Sequence, residues 1–92
     1  MQQDEFVKKL AEQGFETPVV VEREPNGRLD HHAHPFEAKA LILAGEITIL
    51  SQSGEKTWRV GEVFHLQRDE PHSEFFGPEG VRYLSGRKSA RP

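Results

Sequence analysis

Apolar residues recur along the chain first with a helical period and then with the period of strands. Phe6, Val7 and Leu10 share one side of a 3.6-residue turn, with charged residues on the other side. The spacing predicts a short helix within residues 1–14, capped by Asp4 and stopped at Gly14. A helix of about ten residues is marginal alone in water, so it must dock on another layer. After Gly14 the period changes to two. Residues 18–23 are rich in β-branched side chains and read as a strand, and Pro25-Asn26-Gly27 is a turn. Further strands are predicted over 29–34, 38–43, 47–50, 56–60, 63–66, 72–76 and 81–86. The breaks between them include a tight turn at Ala44-Gly45-Glu46, a polar turn over 51–55, and another turn at Gly77-Pro78-Glu79-Gly80. About eight short strands at turn spacing predict an all-β sandwich or barrel. The expected organisation is one domain over 1–92, with a barrel over 18–87 and a tail over 88–92.

Composition narrows this picture. With 92 residues the chain suits one domain, and with 35% hydrophobic and 29% charged residues it is globular in type. Six Phe against one Tyr and one Trp point to a packed apolar interior rather than a base-stacking surface. The formal net charge is −3, and the basic residues are scattered apart from Arg87, Lys88 and Arg91 near the end. That is no footprint for nucleic acid, and the basic tail reads as a solvated terminus. No apolar run is long enough for a signal peptide or a membrane span, so the expectation is a cytoplasmic protein without a membrane partner. The chain has no Cys. Any metal must therefore be held by His and carboxylates.

The candidate chemistry lies in the histidines. On a strand, residues two apart point to one face. His32 and His34 therefore project together, and His31 projects to the other side. A same-face imidazole pair binds one cation if a third ligand arrives from another strand, and His72, held by the preceding Pro71, is that candidate. Imidazole suits Fe, Zn, Ni, Cu, Mn and Co. Three protein ligands leave positions open for water or substrate, as a catalytic site requires. Glu74 shares the face of His72, as a second-sphere carboxylate, a base or a half-exposed strand residue. Tyr83 is a candidate to donate its hydroxyl into the cavity, or else a core or interface aromatic. His65 alternates with Phe64 and Leu66, and reads as a core or interface residue, with a fourth imidazole near the metal as the alternative. Phe36, Trp58, Phe64, Phe75 and Phe76 are expected to form the wall and core.

Two segments carry a family resemblance. His32-Ala33-His34-Pro35-Phe36-Glu37, followed by Gly45-Glu46, resembles the first cupin motif, a His-x-His pair with a later Glu and Gly. Gly61-Glu62-Val63-Phe64-His65-Leu66-Gln67-Arg68-Asp69-Glu70-Pro71-His72 resembles the second, a Gly, a Pro-x-Gly turn and a His. The resemblance covers roughly residues 29–84. It implies a cupin-type double-stranded β-helix, or jelly-roll, barrel with a short N-terminal helix. Two departures stand out. Ala38 occupies the position where cupins usually carry a ligand Glu. Glu37, one residue earlier, faces outward by alternation and would need a bulge to reach a metal. Gln67 and Asp69 replace the Pro and Gly of the second motif. Asp tolerates turn conformations, and Gln67 is either a polar group reaching inward or a loop residue in water.

The expectation is a three-histidine site for one divalent transition metal, Fe(II) first, Zn(II) or Ni(II) next. The resemblance implies a dioxygenase-like enzyme acting on a small organic ligand. Its rival is a non-catalytic small-molecule sensor. A third option is isomerase or lyase chemistry with the metal as a Lewis acid. A short barrel also leaves sheet edges and apolar faces to cover. Leu41, Leu43 and the Val19-Val20-Val21 strand supply outward apolar area, and cupins commonly pair through such sheets, so a homodimer is expected.

Overall fold

Two strands far longer than the hydrophobic pattern predicts organise the molecule. The computed structural model describes residues 1–89. Its elements are α1 (Gln3–Glu12), β1 (Val19–Arg23), β2 (Arg28–His32), β3 (Phe36–Ser51), β4 (Gly54–Arg59), β5 (Val63–Leu66) and β6 (His72–Ser89). β3 and β6 run antiparallel along their whole length, from Phe36 opposite Ser89 to Ser51 opposite His72. The predicted turns at 44–46 and 77–80 are therefore not chain reversals. They lie inside continuous strands, and shifts of register near Ala44 and between Gly45 and Ile47 absorb them.

The glycines explain the misreading. Gly45 pairs with Val81, and a Cβ built on Gly45 would lie 2.0 Å from the Gly80 carbonyl oxygen. Both glycines have positive φ, 73° and 75°. Gly in a strand interior marks a bulge or a close backbone approach as well as a turn, and here the close approach decides. Each bulge also flips the alternation. In β3 the buried core positions are Ala40 and Ile42 before Gly45, then Ile47 and Ile49 after it. In β6 they are Phe76 before Gly80, then Val81 and Tyr83. One extra residue reverses which parity faces inward, so both strands keep an apolar inner face across the kink.

The kink lets β3 and β6 serve two layers. Their Phe36 and Ser89 ends pair with β5 and β1, and their Ser51 and His72 ends pair with β4 and β2. The order is β1-β6-β3-β5 in one layer and β2-β6-β3-β4 in the other. Residues of both layers meet in one core, Ile47, Ile49 and Phe76 of the second with Ala40, Phe64 and Tyr83 of the first. Phe75 is the exception among the predicted wall aromatics. It lies on the outer face of the second layer and is partly exposed, because its odd number places it opposite to Glu74 and Phe76.

α1 covers the outer face of the first layer. Phe6, Leu10 and Phe15 pack on Leu41 and Leu84. Burial of each such side chain contributes about 1.5–3 kcal/mol, which is how so short a helix persists. Gly86 leaves the space, since a Cβ there would lie 2.6 Å from Leu10 Cδ1. The helix ends as predicted. Gly14 has φ 83°, its N–H bonds the Ala11 carbonyl, and the Phe15 N–H bonds that of Leu10, a glycine-terminated C-cap. Its start differs. The cap is Gln2, without a side-chain bond, and Asp4 sits inside the first turn where its carboxylate accepts the Glu5 N–H. Leu41 is also not the free outward surface that alternation suggests, because α1 buries it, whereas Val19 and Val20 stay exposed on the edge strand β1. Lys88 belongs to β6 rather than to a tail, and the Glu16 N–H bonds the Arg87 carbonyl at 2.7 Å. Arg91 lies outside the described residues. No helix among them is long and apolar enough to cross a membrane.

Candidate metal centre

His32, His34, His72 and Glu74 converge at one end of the barrel. Each offers one ligand atom, and these atoms all lie within 4.8 Å of one another. The topology brings them together. β2 ends at His32, which pairs with His72 at the start of β6. His34 follows in the connection to β3, beside Pro35, and its ring centre lies 4.8 Å from that of His32 and 5.3 Å from that of His72. Glu74 follows His72 by two residues on the same inward face. His31 is exposed on the other side, as alternation predicts.

Proton positions reveal what this cluster needs. His72 Nδ1 lies 2.9 Å from the Glu70 carbonyl, and His32 Nδ1 lies against the Asp30 carbonyl. A carbonyl only accepts, so both Nδ1 atoms carry the hydrogen and donate it. In the neutral rings both Nε2 atoms are then bare lone pairs. His72 Nε2 lies 3.0 Å and His32 Nε2 3.2 Å from the same oxygen of Glu74. A carboxylate is also an acceptor only. Three acceptors thus face one another in a site where His72 is 1% and Glu74 4% exposed. His32 Nε2 is buried without a hydrogen-bond partner, since its approach to Glu74 lacks hydrogen-bond angles. Uncompensated burial of such groups costs several kcal/mol, and a cation among them removes the conflict.

The donor set fits a divalent transition ion. Three imidazole nitrogens and one carboxylate oxygen suit Fe, Zn, Ni, Co and Mn. Backbone carbonyls that fix the far nitrogen of His32 and His72 are the usual outer partners of metal-ligating histidines. His34 has its pKa lowered, first by burial, which favours a neutral ring with its lone pair available.

The sequence-predicted candidates divide cleanly. Tyr83 is buried, and burial followed by the charge of Glu74 raises its pKa to about 12. It lines a cavity of about 60 Å³ together with His34, Phe36, Phe64 and Glu74. A larger hollow, about 290 Å³, opens between β4 and β5, but none of the four cluster residues lines it. Glu37 and His65 do not reach the site. They face outward from β3 and β5, and His65 Nε2 bonds Glu37 Oε2. His65 is therefore neither a core residue nor a fourth imidazole. Gln67 is exposed, with its N–H bonded to the Glu70 carboxylate at 2.8 Å. Asp69 adopts φ 61° where the motif has glycine. Sequence reasoning missed two cavity residues, Arg23 and Arg87. Their parity with Val21 and Tyr83 was the available signal.

No family model and no curated protein matches the sequence. Solved structures do match the fold. An RmlC-like cupin from Shewanella frigidimarina superposes with a TM-score of 0.68 at 19% identity, over 82% of this chain and 67% of that one. The chain has a cupin fold. The cupin domain of Cnp3 from Schizosaccharomyces pombe matches with a TM-score of 0.68 at 20% identity, over 77% of this chain and 50% of that one. The polyketide cyclase RemF from Streptomyces resistomycificus matches with a TM-score of 0.69 at 26% identity, over 89% of this chain and 61% of that one. The chain thus spans half to two-thirds of the length of these cupin-fold relatives. Within the cupin barrel the first-motif carboxylate is absent, because Ala38 stands there with its small side chain facing the cavity. The carboxylate of this cluster comes instead from Glu74, on the far strand of the pair.

Proposed function

We propose that this cupin barrel holds one divalent transition ion, Fe(II) first among the candidates, through His32, His34, His72 and Glu74, and acts as a dioxygenase-like enzyme on a small organic ligand. The observation that carries the metal reading is the meeting of two carbonyl-oriented Nε2 lone pairs with a buried carboxylate. A bound ion of this kind supplies Lewis acidity and, if iron, a redox centre. The chain's own residues supply the rest. Phe36 and Phe64 give the cavity apolar walls that exclude water. Tyr83 keeps its proton on the hydroxyl at physiological pH and offers a neutral donor. Glu74 offsets part of the ion's charge, and the Asp30 and Glu70 carbonyls hold His32 and His72 in place.

A second reading is non-redox chemistry on a carbonyl-bearing substrate, with the ion as Lewis acid and Tyr83 as proton donor. The likeness to a polyketide cyclase and the place of Tyr83 in the cavity beside Glu74 favour it. A homodimer through the exposed Val19 and Val20 of edge strand β1 is a further proposal, and sedimentation as a monomer at micromolar concentration overturns it.

Elemental analysis of protein purified without added metal tests the centre. The expected result is a transition metal in the wild type that is lost in His32→Ala and His72→Ala. Unchanged content in both variants refutes the site. Oxygen uptake by anaerobically Fe(II)-loaded protein, screened with diketones, catechols and thiols, then separates the readings. Uptake supports the dioxygenase. Turnover without uptake supports the Lewis-acid reaction, and neither supports a sensor.

A further inference from the structure

Four arginines of the described chain lie beside carboxylates: Arg28 by Asp30, Arg59 by Glu46, Arg68 by Asp69 and Arg82 by Glu22. Among the described residues, Arg23 and Arg87 are the two arginines without a carboxylate in ion-pair range. They are also the two that line the cavity beside the His/Glu cluster. Arg87 is held in a specific pose. Its guanidinium lies 4.5 Å from the centre of the Phe36 ring, and that ring stacks on His34 at 4.9 Å with a 17° tilt. A cation–π contact of this kind uses no N–H donor in a hydrogen bond, and the guanidinium donors match a carboxylate in a two-bond fork. The guanidinium therefore sits one ring away from a proposed metal ligand, with its donors unspent.

The charges point the same way. A divalent ion against the single Glu74 carboxylate leaves one positive charge at the cluster, and the two arginines add two more at the same cavity. A ligand carrying one or two negative charges offsets part of this excess, whereas a neutral ligand leaves the guanidiniums unpaired. The cavity of about 60 Å³ restricts such a ligand to a few heavy atoms inside the barrel. The hydroxyls of Tyr83 and Ser85 line the same space and supply neutral donors.

We infer that the ligand of this site is a small organic carboxylate, its carboxylate gripped by Arg87 with Arg23 as a second cation, and its other end directed to the His32, His34, His72 and Glu74 cluster. The inference rests on the proposed metal centre for the far end of the ligand, while the arginine grip stands on this chain's own geometry. It names the chemistry by which the site selects its substrate.

The test compares acetate, glycolate and pyruvate with their amides, which keep the shape and remove the charge. The full-length chain loaded with Co(II) is titrated by visible absorption, and the metal-free chain by calorimetry. The expected result is tighter binding of the carboxylates by roughly ten- to a hundredfold, the value of a charge-assisted bond. Arg87→Gln erases that preference without changing the Co(II) content, and Arg23→Gln reduces it. Arg59→Gln, on the outside of the barrel beside Glu46, leaves it intact. Equal binding of acids and amides by the wild type, or a preference retained in Arg87→Gln, overturns the inference. If the chain takes up no Co(II), the metal centre fails on its own. Calorimetry then decides the arginine grip: a carboxylate heat abolished by Arg87→Gln upholds it, and no such heat overturns it.

Discussion

Two histidine–glutamate groupings, one facing outward from the first sheet layer and one facing inward from the second, differ in where their protons lie. Outside, His65 and Glu37 form a pair with solvent at hand. Neither ring nitrogen of His65 bonds a backbone carbonyl in the described residues, so Nε2 is free to carry the hydrogen and donate it. One donor meets one acceptor, and the pair is complete. Inside, the carbonyls of Asp30 and Glu70 claim the hydrogens of His32 and His72. In neutral rings the nitrogens left facing Glu74 have nothing to donate, and little solvent reaches them. The same residue types thus make a finished surface contact in one place and an unmet demand for positive charge in the other. Residue identity does not distinguish them; the backbone carbonyls behind the rings do.

Experiments that exchange the two behaviours test this contrast. The largest effect is expected from His72→Ala, which removes a buried ligand. Its metal content should fall to background by elemental analysis, whereas His65→Ala should keep the wild-type content. Next comes metal-linked stability. At free metal about a hundredfold above its Kd the folded state should gain about 2.7 kcal/mol. At about 4–8 °C per kcal/mol for a domain of this size, the melting temperature should rise by about 10–20 °C. Glu37→Gln should show the same rise and Glu74→Gln very little of it, with a chelator reversing the gain.

Nearly as large is the alkaline response of the inner side. Tyr83 loses its proton near pH 10 when unfolded but near 12 when folded. Between those values the folded state binds the extra proton, so stability falls as pH rises, by about 1.4 kcal/mol per unit. Below pH 10 the term is flat. Urea unfolding of Tyr83→Phe across that window should lack this slope, and an identical slope would show that Tyr83 is not its source. Smaller and opposite in sign is Glu74→Gln in the metal-free protein at pH 8. The amide N–H₂ can donate to His72 Nε2 where the carboxylate cannot, so the variant should gain about 1 kcal/mol, the usual net value of a hydrogen bond. A loss of stability would mean that the rings are protonated against Glu74. Smallest is Glu37→Gln, which should change stability by about 0–1 kcal/mol, as expected for a partly exposed ion pair.

Much of this contrast was legible in the sequence. Alternation places His32 and His34 together, sends His31, Glu37 and Lys39 outward, and puts Glu74 on the face of His72. The helix and its Gly14 stop are equally readable. What alternation does not contain is the reach of α1, which turns Leu41 from surface into core. Nor does it distinguish a glycine that reverses the chain from one that lets two strands touch. Gly45 and Gly80 look like turn residues because each adjoins a glutamate, Glu46 or Glu79, and only their mutual contact identifies them as bulges. The role of Glu74 was open for a similar reason. Its face was evident, but the orientation of the histidines opposite it depends on carbonyls that no side-chain pattern encodes. Arg87 was read as part of a solvated tail, since a long strand in register with Phe36 and Ala38 was not foreseen.

The spine formed by β3 and β6 has a consequence for how the chain acquires its shape. Among the described residues β1 and β2 pair only with β6, far along the chain: Val19 lies opposite Ser85 and His32 opposite His72. β1 therefore has no sheet partner until Val81–Ser85 has been synthesised, and β2 none until His72–Phe75 has been. Pairings of such long sequence separation are slow to close, and a half-barrel of β3, β4 and β5 would present the inner faces of Ile47, Ile49 and Phe64 to solvent meanwhile. His32 and His34 wait in the same way, since their partners open β6. Ion capture then belongs to the last stage of folding, and a metal-binding assay becomes a report on whether β6 has docked.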